Sequence, residues 1–113
     1  MRTVLTVAGS DSGAGAGIQA DLKAIAANGA YGLSILTSVT AQNTRTVSAA
    51  LALPPELIEQ QFAAIFKDFT PAATKSGMLA DRERVDVVAR LMRRYAPPNY
   101  VLDRKSTRLN SSH

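Results

Sequence analysis

The residues able to do chemistry in this chain fall in three short stretches: GSDSGAGAGIQADLK at 9–23, TAQNT at 40–44 and GML at 77–79. The first contains Asp11 and Asp21 together with Gly9, Gly13, Gly15 and Gly17. A carboxylate in a cleft accepts hydrogen bonds from ligand amines or hydroxyls. Glycines permit positive φ and let the backbone come close to a ligand. In the second stretch, Gln42 both donates and accepts, which suits the edge of a nitrogen heterocycle. In the third, Met78 could form a soft apolar wall against a flat ring. Each has a plainer alternative that the residues leave open. Asp11 and Asp21 could only favour a helix N-terminus, Gln42 could be a solvated loop residue, and Met78 could fill core.

Other chemistries are excluded by what is missing. There is no cysteine, and the one histidine is His113, the last residue. That removes thiolate or histidine metal clusters and a Ser/His/Asp triad. Two phosphate-binding templates also fail in detail. Gly13-Ala-Gly15-Ala-Gly17 misplaces the third glycine of a dinucleotide fingerprint, and Gly17 is followed by Ile18 and Gln19, not by Lys-Ser/Thr.

The elements that must position these residues alternate along the chain. Thr3–Ala8 reads as a buried strand bounded by Gly9. Residues 16–28 form a helix with Ile18, Leu22, Ile25 and Ala26 on one face, free N–H groups near Ala16 and a glycine cap at Gly29. Asp21 falls in its second turn. Tyr31–Val39 is a second strand, and Thr40–Ser48 a polar loop. Pro54 and Pro55 open a helix whose Leu57, Ile58, Phe62, Ile65, Phe66 and Phe69 recur at core spacing. Ala72–Ser76 is a short strand. Asp81 caps a helix burying Val85, Val88, Leu91, Met92 and Tyr95, and Tyr100–Leu102 starts a last strand. The order β-α-β-α-β-α-β predicts a mainly parallel sheet with helices on both faces. Ligands then gather at the strands' carboxyl ends, where residues 9–16, 40–48 and 77–80 leave the sheet.

The chain has 113 residues, 46% of them hydrophobic, and a net charge of +4. No apolar run reaches the roughly 18 residues of a membrane span, and the N-terminus lacks a signal-peptide pattern. A cytoplasmic protein without membrane or nucleic-acid partners is expected. Much of the positive charge lies in residues 103–113, DRKSTRLNSSH; without them 10 basic and 8 acidic residues remain. Arg84, Arg90, Arg93 and Arg94 share a helix with Asp81, Glu83 and Asp86 and are expected to be a solvated face. The last eleven residues match, codon for codon, the translation of a common sequencing-library adaptor. They are expected to be a non-native, disordered tail, with Asp103 ambiguous between adaptor and gene.

GSDSGAGAGIQADLK, GAYGLSILTSVTAQNT, TKSGML and YVLD, in that order, resemble the hydroxymethylpyrimidine/phosphomethylpyrimidine kinases of thiamine biosynthesis. The resemblance covers residues 1–102 without a gap. It implies the N-terminal part of a ribokinase-like three-layer α/β/α fold with a mainly parallel sheet. It implies that the intact protein transfers phosphoryl groups from ATP, with Mg2+, to 4-amino-5-hydroxymethyl-2-methylpyrimidine and its monophosphate, as a homodimer. It further implies substrate binding by Gly9, Ala16, Asp21, Gln42 and Met78, with Asp21 and Gln42 on the aminopyrimidine and Ala16 and Met78 lining the pocket. Arg104 and Lys105 depart from the family pattern, and the family's Gly-x-Gly-Asp segment and ATP-binding loops are missing. Catalytic residues are therefore expected outside this chain, and the chain alone is expected to be inactive. A closed pocket in so truncated a sheet, and binding by the chain alone, are not expected either. A pyridoxal/pyridoxine kinase fragment and a non-catalytic pyrimidine-binding module are the competing readings.

Overall fold

The computed structural model describes residues 1–102. The expected non-native tail at 103–113 lies outside the described residues. The elements are β1 (Thr3–Asp11), α1 (Gly17–Ala27), β2 (Tyr31–Gln42), β3 (Val47–Ala52), α2 (Pro55–Asp68), β4 (Ala73–Ser76), α3 (Arg82–Tyr95) and β5 (Tyr100–Leu102). They form one five-stranded sheet in the order β3-β2-β1-β4-β5. All pairs are parallel except β2–β3, which is antiparallel.

Strand alternation separates two layers of packing. Leu5 and Val7 of β1 lie beside Leu33 and Ile35 of β2. These four join Ile58 and Phe62 of α2 and Val88, Leu91 and Met92 of α3 in the main core. The opposite face carries Thr6 and Gly32, and a side chain at Gly32 would run into Leu22 of α1. The phenylalanines expected in the core are there. Phe62, Phe66 and Tyr95 stack with centroids 4.8–6.1 Å apart across the α2–α3 seam. At about 25 cal/mol per Å² of apolar surface buried, such rings dominate the stability of a domain this small.

Helix ends follow from local chemistry. Gly29 has φ +79°. Its N–H donates to Ala26 O and that of Ala30 to Ile25 O, at 3.0 and 3.1 Å. This pair of bonds closes the last turn of α1 as a Schellman motif. At α3, Asp81 Oδ1 accepts from Arg84 N at 2.9 Å, so the cap expected there forms.

Five expectations need correction. Leu57, expected at core spacing, is exposed. β1 does not stop at Gly9 but stays paired with β2 to Asp11. Residues 40–48 are not one loop: β2 runs to Gln42, and only Asn43 to Thr46 turn before β3 pairs back. There, Asn43 Oδ1 accepts from Arg45 N and Thr46 N, so a side chain replaces backbone turn bonds. On α3, Val87 is buried where Val85 was expected and Val85 is exposed. Lastly, Arg84 is no part of a solvated face: it is 6% exposed, donates to Leu53 O at 3.0 Å and pairs with Glu83 and Asp81. Its five donors let a buried guanidinium tie the β3–α2 connection to α3.

Candidate functional site

The site is built where the chain reverses its direction of growth across the sheet. From β1, the sheet extends to β2 on one side and to β4 on the other. A crevice opens at the carboxyl ends of strands at such a switch point. Here it is a cavity of about 270 Å³. That is near the lower end of small-molecule sites, about 300–1,000 Å³, and suits a single substituted ring better than a dinucleotide. Its wall comes from Gly9–Asp11 of β1, the start of α1, Ser38, Thr40 and Gln42 of β2, and Lys75, Gly77 and Met78 around the end of β4. The β5 edge takes no part. An open crevice therefore forms within residues 1–102.

The structure brings all five of the residues expected at the site, Gly9, Ala16, Asp21, Gln42 and Met78, onto this one cavity. Their placements differ in kind. Gly9 is a point of close approach, because an added Cβ would sit 2.6 Å from Ser38 Oγ. Ala16 immediately precedes α1 in extended conformation and has no side-chain cap. Met78 is 47% exposed, so it is not core filling. Gln42 lies at the end of β2 with its side-chain amide 2.8 Å from Thr40 Oγ1, which also lies 2.7 Å from Ser10 O. The hydroxyl has one proton to give, so it serves one of these acceptors at a time. When the Ser10 carbonyl takes it, Gln42 can turn its NH2 to Thr40 and its oxygen to the cavity.

The glycine-rich turn is organised from within. Asp11, 5% exposed, accepts from Gly13 N at 2.7 Å and from Ala16 N at 2.8 Å. Its own N–H donates to Gln19 Oε1, and Gln19 Nε2 donates to Ser10 Oγ. Asp11 thus has the plainer of its two roles, shaping the turn before α1. Gly17 has φ +62°, and a side chain there would strike the Gly9 carbonyl oxygen. The turn folds back on the end of β1 and so brings the first turn of α1 to the cavity.

Asp21 is held differently. Its Oδ2 accepts from Thr6 Oγ1 at 2.6 Å, and its Oδ1 accepts from Lys75 Nζ at 2.7 Å. The two donors are directly opposite each other in the β1–β4 ladder. Neither stood out in the sequence. Their signals were a hydroxyl inside the apolar run TVLTVA and a lone charge between the buried Thr74 and Ser76. Ser38 and Thr40 of β2 were also missed. Between Ala8 and Ser10 the β1–β2 register shifts by one residue, so that Ser10 faces Val39. Such a bulge re-aims the side chains that follow it, here Ser38, Thr40 and Gln42.

Among the described residues no group of three or more His, Cys, Asp and Glu could hold a metal ion. The basic side chain on the cavity, Lys75, faces a carboxylate. These residues do not fit a metal-bound triphosphate. Among the described residues no helix is long and apolar enough to cross a membrane.

Comparison with known proteins gives a consistent picture. Residues 11–106 match the phosphomethylpyrimidine kinase family. The chain is 54% identical over 89 residues to a hydroxymethylpyrimidine/phosphomethylpyrimidine kinase of Streptomyces coelicolor, covering 79% of this chain and 33% of that one. It superposes on the crystal structure of phosphomethylpyrimidine kinase from Clostridium difficile with a TM-score of 0.89 and 44% identity, over 91% of this chain and 45% of that one. A pyridoxal kinase from Staphylococcus aureus, solved with AMP-PCP and pyridoxal, superposes at 0.79 with 34% identity, over 91% and 38% of the two chains. The chain spans about a third or less of the length of most curated relatives it matches, from 13% to 37%.

Proposed function

The chain belongs to the phosphomethylpyrimidine kinase family, and from that premise we propose that its three strand tips hold the substrate of an ATP-dependent kinase of thiamine biosynthesis. The substrate is 4-amino-5-hydroxymethyl-2-methylpyrimidine, or its monophosphate in a second step. Asp21 and Gln42 hydrogen-bond the aminopyrimidine, Ala16 and Met78 line the ring, and Gly9 keeps the backbone close. The observation that carries this reading is that all five residues border one ring-sized cavity.

The described residues account for recognition. They offer the amine an acceptor and the heterocycle an amide, beside a turn in which the Gly13 and Ala16 N–H groups are taken by Asp11. Phosphoryl transfer also requires charge stabilisation around the γ-phosphate. The transfer machinery, ATP with Mg2+, belongs in this proposal to parts of the whole protein other than residues 1–102. Homodimeric assembly of the whole protein and a cytoplasmic location complete it.

Pyridoxal kinase is a second reading. It is favoured by the superposition on the Staphylococcus aureus enzyme solved with pyridoxal. A chimera separates the two: residues 1–102 replace the matching third of the Streptomyces coelicolor kinase, and ATP-dependent phosphorylation of both alcohols is measured. The aminopyrimidine is expected to be preferred, and Asp21→Ala to lower kcat/KM for it at least tenfold, the loss of about one charge-assisted hydrogen bond. Preference for pyridoxal would establish the second reading. An undiminished Asp21→Ala chimera would remove Asp21 from the site.

A further inference from the structure

We propose that Thr6 and Lys75 are positioning residues that make the site select a ring bearing an N–H donor, by fixing Asp21 as a pure acceptor. This rests on the reading in which Asp21 meets the substrate. The geometry points beyond a simple tie between helix and sheet. Thr6 and Lys75 are cross-strand partners on adjacent parallel strands, so their side chains rise at the same height from one face. Asp21 reaches down from α1 and gives one oxygen to each, at 2.6 and 2.7 Å. Both contacts are charge-assisted and together fix the plane of the carboxylate.

Each carboxylate oxygen accepts more than one hydrogen bond. With one position on each already used by a protein donor, the remaining lone pairs can only receive. A ligand edge made of acceptors would meet those lone pairs and be repelled; an exocyclic amine satisfies them. Thr6 is fully buried, so the floor of this clamp is dry, while the Asp21 and Lys75 side chains remain 16% and 36% exposed beside the cavity. Removing the ammonium would leave the carboxylate facing the ligand with a partner lost and its orientation released.

The test uses nuclear magnetic resonance titration of the chimeric kinase carrying residues 1–102 with two probes. One is 4-amino-5-hydroxymethyl-2-methylpyrimidine; the other is its analogue with hydrogen in place of the amino group. The unsubstituted protein is expected to bind the amino compound at least tenfold more tightly. Lys75→Met should shrink that ratio to threefold or less by weakening the amino compound, leaving the analogue unchanged. Lys75→Arg should retain most of the ratio, and Thr6→Val should lower it about threefold. Equal weakening of both probes, or an unaltered ratio in Lys75→Met, would overturn the proposal and leave the clamp a structural tie. If Lys75→Met loses its folded spectrum, Lys75→Arg and Thr6→Val decide by the same ratio. If the unsubstituted protein binds neither probe, the pyrimidine reading itself fails and this inference with it.

Discussion

At the scale of single residues, two glycines with positive φ separate conformational cost from steric cost. Gly29 at the end of α1 has no atom within 4 Å of where a Cβ would stand. Gly29→Ala should therefore cost about 1 kcal/mol, the backbone penalty alone. At Gly17 the same substitution adds a collision with the Gly9 carbonyl oxygen. Urea denaturation should show Gly17→Ala costing at least about 1–2 kcal/mol more than Gly29→Ala. Equal losses would mean that the turn before α1 is not packed as described. The sequence makes residues of this kind legible, because glycine, proline and capping acids declare their backbone role in their type. Asp81 and Gly29 could be placed that way. Thr6 and Lys75 could not, since their importance lies in a cross-strand pairing that no local pattern encodes.

At the scale of elements, β2 carries the site and has an unusual support. β3 pairs with β2 only as far as Ser38, with Leu53 N donating to Thr37 O just beyond. Where β3 leaves, Gln61 of α2 takes over: its Oε1 accepts from Leu36 N at 2.8 Å and its Nε2 donates to Leu36 O at 2.9 Å. One amide thus stands in for a neighbouring strand directly before the bulge that re-aims Ser38, Thr40 and Gln42. Gln61→Leu keeps the bulk but strands both backbone groups. It should destabilise by about 1–3 kcal/mol, seen as a lower urea midpoint with unchanged slope; a neutral result would show that solvent replaces the amide. Alternating helices and strands were readable because hydrophobic period identifies each. β3 was not, because its residues are exposed on both faces apart from Ala52 and its turn, Asn-Thr-Arg-Thr, has no glycine to mark it.

At the scale of the molecule, the main core and the candidate cavity lie on different sides of the sheet. The α2–α3 side holds the core, and Phe62 is fully buried at its centre. Phe62→Ala should cost about 3–5 kcal/mol, a large part of the roughly 5–15 kcal/mol such a domain has. Calorimetry should show the cooperative transition weakened or gone at 37 °C, and an unshifted transition would place the core elsewhere. The cavity instead belongs to the switch point, where β1, β2 and β4 end together and α1 closes the remaining side. That convergence followed from the alternating order of elements, although the extension of β1 and β2 into the site did not. The central claim is that three strand tips surround one flat molecule. It is tested most directly by titrating the 15N-labelled chimeric kinase carrying residues 1–102 with 4-amino-5-hydroxymethyl-2-methylpyrimidine. The amide signals of Gly9, Ala16, Asp21, Gln42 and Met78 are predicted to move along one saturation curve. Signals that stay still would contradict it.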